Sequence, residues 1–314
     1  MPTRNRCAGS AIDPAMMKPA HLSGVLLALA AASIYGAVPN FARMAFLNGV
    51  PALESVLSRT TVVAAGLGLI ALLRRESFHL GREAWPSFLY QCLATLMVSA
   101  CYLASVQFLP VTLSVIVFYL FPVLIVLAAP VAEGRAPGPA RIAVALLGFA
   151  GLVVAVGPAF ENISFIGLLL AFGAAVGCMM QFFSGRMLSR HLTPAAFGSL
   201  VHVAIWPVIL VLAWGFGGQK LTLLSGGEGL GPQAFIAVVL VSFTYLGGYF
   251  LHMSSVRAAP SSVVAPYFNL EPIVSTVIAV FVLGETMALA QWVGGAMVFA
   301  ALVISGFLPE KGAA

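Results

Sequence analysis

Long apolar runs recur along the chain at nearly even intervals, each closed by a short segment rich in proline, glycine or arginine. About 20 apolar residues in helical conformation span a hydrocarbon layer of roughly 30 Å. The pattern predicts ten such helices, over 22–42, 51–73, 86–108, 111–131, 138–157, 164–186, 194–216, 232–253, 260–283 and 287–308. Their connections have the length and composition of tight inter-helix turns; the longest, 217–231, reads GGQKLTLLSGGEGLG. The first run, Leu22 to Phe41, is longer than the roughly 7–15 residue core of a secretory leader and lacks a clean small-residue cleavage site, so it reads as a span. Residues 1–20 and 310–314 read as tails, the first disordered, and Met16 or Met17 offers an alternative start.

The pattern repeats. Shifted by 143, GVLLALAAASIYGAVPNFARM (Gly24–Met44) falls on GLLLAFGAAVGCMMQFFSGRM (Gly167–Met187), and Pro51 falls on Pro194. Shifted by 150, Ser105, Pro110, Phe118 and Pro122 fall on Ser255, Pro260, Phe268 and Pro272. The repeat divides the chain into 21–158 and 159–309, each of five predicted spans. Five is odd, so two such halves cross a bilayer in opposite senses. Inverted repeats of this kind are characteristic of secondary transporters, with the binding site between the halves near mid-membrane. The expected fold class is therefore an all-α membrane protein of ten transmembrane helices in two inverted five-helix repeats.

Composition agrees. Hydrophobic residues make up 61% of the 314, charged residues 8%, and mean hydropathy is +1.04, against about 25% charged residues in soluble domains. The net charge of +5 does not point to nucleic acid, because the basic residues are scattered over short connections. With the N-terminus inside, twelve Arg and Lys fall in inside segments and two, Arg43 and Lys220, fall outside. That asymmetry predicts an even number of spans with both termini in the cytoplasm. Asp13 is the sole aspartate and Cys7, Cys92, Cys101 and Cys178 have no CxxC spacing, so neither a metal nor another cofactor is implied. LSGGE (Leu224–Glu228) has no phosphate-binding loop to accompany it and reads as coincidence.

Few polar groups lie within the predicted spans. Glu271 falls ~16 Å beyond Pro260 at 1.5 Å per residue, near mid-membrane, where a carboxylate either faces a wet pathway or glues helices together. Pro272 follows it and deprives the Phe268 carbonyl of its donor, as Pro122 does in the first half; both are candidate hinges. Arg59, ~12 Å into its span, corresponds to His202 under the 143-residue shift. An unpaired cation at such depth costs at least ~2.5–3.5 kcal/mol, so Arg59 requires a partner, either structural or in the pathway. His202 reads as a packing group or a proton-sensitive one. Tyr119, Tyr267 and Asn269 lie deep enough to line a cavity, Tyr267 and Glu271 share a face at i,i+4, and Tyr245 shares one with Tyr249. Tyr102 and His252 read as anchors at the membrane surface, and Glu285 as a cap or outer contact.

The residues IYGAVPNFARM, Pro51 with Arg59 in PALESVLSRT, and above all LEP (Leu270–Pro272) followed by LGE (Leu283–Glu285) and QWVGGAMVFAALVIS resemble the drug/metabolite transporter superfamily, specifically its EamA-like family. Phe121 stands where the second half has Glu271, so any carboxylate role is one-sided. The resemblance implies export of a small metabolite, such as an amino acid, across the inner membrane by alternating access. The partners are then the substrate and the lipid bilayer; if transport is coupled to protons, Glu271 is the candidate carrier because apolar surroundings make its charge costly, with uniport and exchange as the alternatives. A membrane-embedded enzyme on lipid-linked substrates and a non-transporting partner subunit are the competing classes; scarcity of aspartate argues against the enzyme. None of these patterns encodes cargo identity or oligomeric state.

Overall fold

The structure, a computed structural model, describes residues 19–105, 108, 111–134, 138–156, 164–216, 221, 229–283 and 288–308. Every regular element among them is helical. In chain order these are α1 (Pro19–Tyr35), α2 (Val38–Leu47), α3 (Ala52–Leu73), a 3-10 turn at Arg82–Ala84, α4 (Trp85–Ser105), α5 (Val111–Phe118), α6 (Phe121–Ala132) and α7 (Pro139–Val156). There follow α8 (Phe165–Leu188), α9 (Pro194–Phe216), α10 (Pro232–Ala258), α11 (Ser261–Val264), a 3-10 stretch at Ala265–Asn269, α12 (Leu270–Leu283) and α13 (Leu289–Phe307).

Helix starts follow local chemistry. Prolines open α7, α9 and α10, where the missing N–H is no loss. The Ser164 hydroxyl accepts the Gly167 N–H at 3.3 Å and the Thr193 hydroxyl accepts that of Ala196 at 3.3 Å, capping α8 and α9. Six stretches are long and apolar enough to cross a membrane: Leu22–Leu47, Ala52–Leu73, Ser114–Ala132, Phe165–Leu188, Pro194–Gly215 and Pro232–Ala258, with shorter apolar helices at Pro139–Val154 and Trp292–Ser305. Large apolar side chains face outward from several elements, among them Leu69, Leu93, Leu146, Val211, Phe243 and Phe299. Such a surface suits lipid rather than water.

Three of the predicted spans are interrupted. The first stops at Gly36–Ala37 and restarts as α2, with Pro39 unable to donate to the Tyr35 carbonyl. The fourth divides at Tyr119–Leu120, ahead of Pro122. The stretch expected as one helix over 260–283 is α11, a 3-10 turn and α12, because Pro266 and Pro272 each remove a donor.

Small residues let the helices approach closely. The principal packing pairs are α1 with α10, α4 with α8, α3 with α9, and α7 with α13. All four run antiparallel. Thr61, Ala64 and Leu67 of α3 meet Trp206, Ser199 and Gly198 of α9; Gly148 and Gly151 of α7 meet Ala301 and Val298 of α13. One end of the bundle is fastened by polar contacts. The Glu133 carboxylate, just past α6, accepts the Ser261 N–H at 2.6 Å and the Ser262 hydroxyl at the start of α11. Glu76 accepts the Thr193 hydroxyl, and Arg186 donates to the Val256 carbonyl at 2.9 Å.

Candidate functional site

The three interruptions converge. A Cβ added at Gly36 would lie 2.8 Å from the Glu271 carbonyl oxygen and 2.8 Å from the Val274 Cβ, so the break between α1 and α2 rests on the first turn of α12. Asn40 fastens the contact, its side-chain N–H donating to the Ser275 carbonyl at 3.1 Å and hydroxyl at 3.2 Å. From the break between α5 and α6, the buried Tyr119 hydroxyl donates to the Glu271 carboxylate. Tyr35, Tyr102 and Cys178 also lie within reach of that carboxylate's charge. Glu271 is itself half-buried.

Aromatic rings surround this group. Tyr102 packs on Phe118 at 5.2 Å between ring centres, Phe121 on Phe182 at 5.6 Å, Phe182 on His252 at 4.1 Å and His252 on Phe268 at 4.7 Å. His252 is thus 2% exposed in the core and not a surface anchor; the aromatic packing outweighs the preference of its ring for the interface. Tyr102 likewise turns inward to Phe118 and the carboxylate.

Tyr35 leads from here to a second polar group. Its ring lies against Gly248, where a Cβ would be 2.4 Å from the Tyr35 Cδ1, and 5.8 Å from the Tyr245 ring. On Tyr245 sits Arg59, its guanidinium carbon 4.4 Å from the ring centre. His202 meets Tyr249 edge-on at 4.6 Å and Tyr245 at 6.2 Å, and lies in the field of Arg59. Its Nδ1 lies 2.8 Å from the Gly198 carbonyl. A carbonyl only accepts, so the proton is on Nδ1 and Nε2 carries the lone pair. Beyond Tyr249 the buried Gln91 donates to the Tyr249 hydroxyl at 3.3 Å and accepts from Ser184, while Gln181 donates to Thr95 at 3.0 Å.

Of the residues singled out in the sequence, Glu271 and Tyr119 are brought into contact, as are Arg59, Tyr245 and His202. Tyr267 and Asn269 are not part of either group. The Tyr267 hydroxyl is hydrogen-bonded to Ser305 and near Arg141, and the Asn269 amide packs on Gly148. The i,i+4 relation of Tyr267 to Glu271 assumed an α-helix. In the 3-10 stretch each residue advances about 120° instead of 100°, which turns Tyr267 and Asn269 towards α7 and α13. Pro122 is buried and Pro272 half-buried at their breaks. Glu285 and the LSGGE loop lie outside the described residues. Tyr35 escaped the sequence reading; its signal was the Gly36–Pro39 break that follows it. No cluster of three metal-ligating side chains occurs among the described residues. An open groove of about 350 Å³ between α3 and α9, lined by Thr61, Ala64, Ala65, Val203 and Trp206, includes none of these polar groups.

Comparison with known proteins agrees with this architecture. The chain is 27% identical over 263 residues to the protein named aromatic amino acid exporter YddG of Ancylobacter novellus, covering 76% of this chain and 87% of that one. It is 27% identical over 246 residues to the uncharacterized transporter YvbV of Bacillus subtilis, covering 75% and 76% respectively. One crystal structure of a protein 19% identical superposes with a TM-score of 0.76 over 90% of this chain and 97% of its own, a likeness of fold alone. The profile of the EamA-like transporter family matches twice, at residues 22–157 and 165–307. This multi-pass membrane protein therefore belongs to the EamA-like transporter family and is a small-molecule transporter, not an enzyme.

Proposed function

We propose that the protein exports an amino acid or a related small metabolite across the inner membrane, by alternating access of two inverted five-helix halves over 21–158 and 159–309. The observation that carries this reading is the convergence of three helix breaks on Glu271. Broken helices leave backbone carbonyls without donors, which membrane proteins tolerate only against protein or a wet cavity. A carboxylate, tyrosine hydroxyls and loose carbonyls together form a mid-membrane polar surface that a substrate can bind and a rocking motion can expose to either side.

The inverted arrangement finds support in the packing. α3 and α9 occupy corresponding places in the repeat and run antiparallel, as do α7 and α13. Exchanging the halves turns the α1–α10 pair into the α8–α4 pair, and both are principal contacts. The charge asymmetry puts both termini in the cytoplasm, and the same count puts the end fastened by Glu133, Glu76 and Arg186 there too. Those contacts are the ones that would hold the pathway closed on that side. Glu271 carries the coupling proton: it takes one when the hollow opens to the acidic side and releases it on the other. Tyr119 donates to the ionised form and so holds the carboxylate in place when empty. Pro122 and Pro272 are the hinges. Tyr267 and Asn269 contribute to the wall between the second-half break and α7–α13 rather than to ligand contacts. The relative named for aromatic amino acid export supports cargo of that class.

Reconstitution of the purified chain in liposomes tests the reading. Labelled phenylalanine, tryptophan and leucine are expected to move faster than in empty vesicles, and faster still under an imposed pH gradient. Movement of none of these, or of any other metabolite in a broad panel, contradicts it.

A further inference from the structure

We propose that Arg59 is the receptor for the carboxylate of the transported compound, with Tyr245 and His202 setting its orientation. This rests on the transporter reading above and its amino-acid cargo, and adds the residue that recognises that cargo's carboxylate. The Arg59 guanidinium lies 4.4 Å over the Tyr245 ring. That contact occupies the flat face of the guanidinium and leaves its in-plane N–H groups pointing elsewhere, in the fork that matches a carboxylate. Among the described residues no carboxylate is paired with it and no acceptor is hydrogen-bonded to it. An arginine inside a membrane span is costly and is found paired with another group or lining a pathway. Arg59 is half-buried rather than sealed, so a ligand can reach the fork.

His202 supplies an independent observation. It is 1% exposed and its Nε2, a lone-pair acceptor once Nδ1 donates to Gly198, has no partner. Arg59 and His202 share Tyr245 as a neighbour, the first 4.4 Å over its ring and the second 6.2 Å from it between centres. A donor fork and an unsatisfied acceptor thus flank one tyrosine, a pairing that suits the adjacent carboxylate and amine of an α-amino acid. From Arg59 the rings of Tyr245, Tyr35 and Phe268 follow at 5.8 and 6.5 Å between centres. They form an aromatic wall along which an apolar side chain can lie, leading towards Glu271. Arg59 and Glu271 thus divide the labour: the arginine reads the cargo and the carboxylate carries the proton.

The test uses the purified full-length chain in detergent with L-phenylalanine, its uncharged-carboxyl analogue L-phenylalaninamide, and phenethylamine, which lacks the carboxyl group. Wild type is expected to bind phenylalanine about 10- to 100-fold more tightly than either analogue, the range for losing hydrogen bonds to a charged partner. Arg59→Gln should reduce phenylalanine to the level of the amide and leave the amide unchanged, a loss of preference that general destabilisation does not produce. Arg59→Lys, which keeps the charge but not the fork, should fall between and should melt near wild type. Equal binding of acid and amide by wild type, a preference that survives in Arg59→Gln, or absence of phenylalanine binding by a protein that transports something else overturns the proposal. Acid preference without pH-driven flux would retain this site and remove the coupling through Glu271; coupled flux of cationic cargo with no acid preference would do the reverse.

Discussion

Tyr119-Leu120-Phe121-Pro122 and Asn269-Leu270-Glu271-Pro272 are matched by the 150-residue shift and each lies at a helix break, the first a short turn and the second the end of a 3-10 stretch, yet only one presents an acid. Phe121 is 2% exposed and packs on Phe118, Tyr119 and Phe182 at 5.4, 5.7 and 5.6 Å. Glu271 is half-buried and held by Tyr119, a residue of the other break. The residue matching Tyr119, Asn269, turns away to Gly148. The proline break is therefore reusable backbone, and the side chain before the proline decides whether it becomes packing or chemistry. A repeated sequence pattern can keep the break in both copies while only one carries an acid.

The bluntest way to break the comparison is Glu271→Phe, which makes the second break a copy of the first. Because the Phe121 backbone accommodates that ring, the variant should insert and melt near wild type, while flux in proteoliposomes falls to that of empty vesicles. Gly36→Ala probes the contact that presses the first break on the second. With the Glu271 carbonyl and Val274 both at 2.8 Å, overpacking should cost about 1–3 kcal/mol, read as a lower melting temperature in detergent. Gly295, with nothing near its missing Cβ, is the control and should change little on substitution by alanine. Pro272→Ala restores a donor to the Phe268 carbonyl and should stiffen the second break, slowing flux more than Pro122→Ala slows it if the acid-bearing break is the one that moves. Tyr119→Phe removes a single hydrogen bond to a charged group, worth about 1.5–3 kcal/mol at most, and should slow coupled flux with little effect on folding.

The helices were largely legible. The run 51–73 forms Ala52–Leu73, 194–216 forms Pro194–Phe216, and 164–186 forms Phe165–Leu188, because unbroken apolar runs of this length have few alternatives to helix in lipid. That Glu271, Arg59 and His202 lie among packed helices was legible too, since a polar group within an apolar run stands out from its cost alone. Side-chain direction was not. The 3-10 turn at Ala265–Asn269 has no cap or pattern that separates it from α-helix, and two prolines six residues apart show only that the helix is interrupted. Tyr35 was missed because its role depends on Gly248, 213 positions away in the chain, leaving room for its ring. His252 was misread for the same reason: proximity to the end of a hydrophobic run does not say which way a ring turns.

Proton coupling through one acid of the second break is measured most directly with Glu271→Gln, which keeps the shape and removes the titrating group. Wild type and variant are compared in liposomes with and without an imposed pH gradient, using labelled phenylalanine. The account predicts gradient-stimulated flux in wild type, and residual exchange in the variant that is indifferent to the gradient. Gradient-driven flux of equal size in both would contradict it.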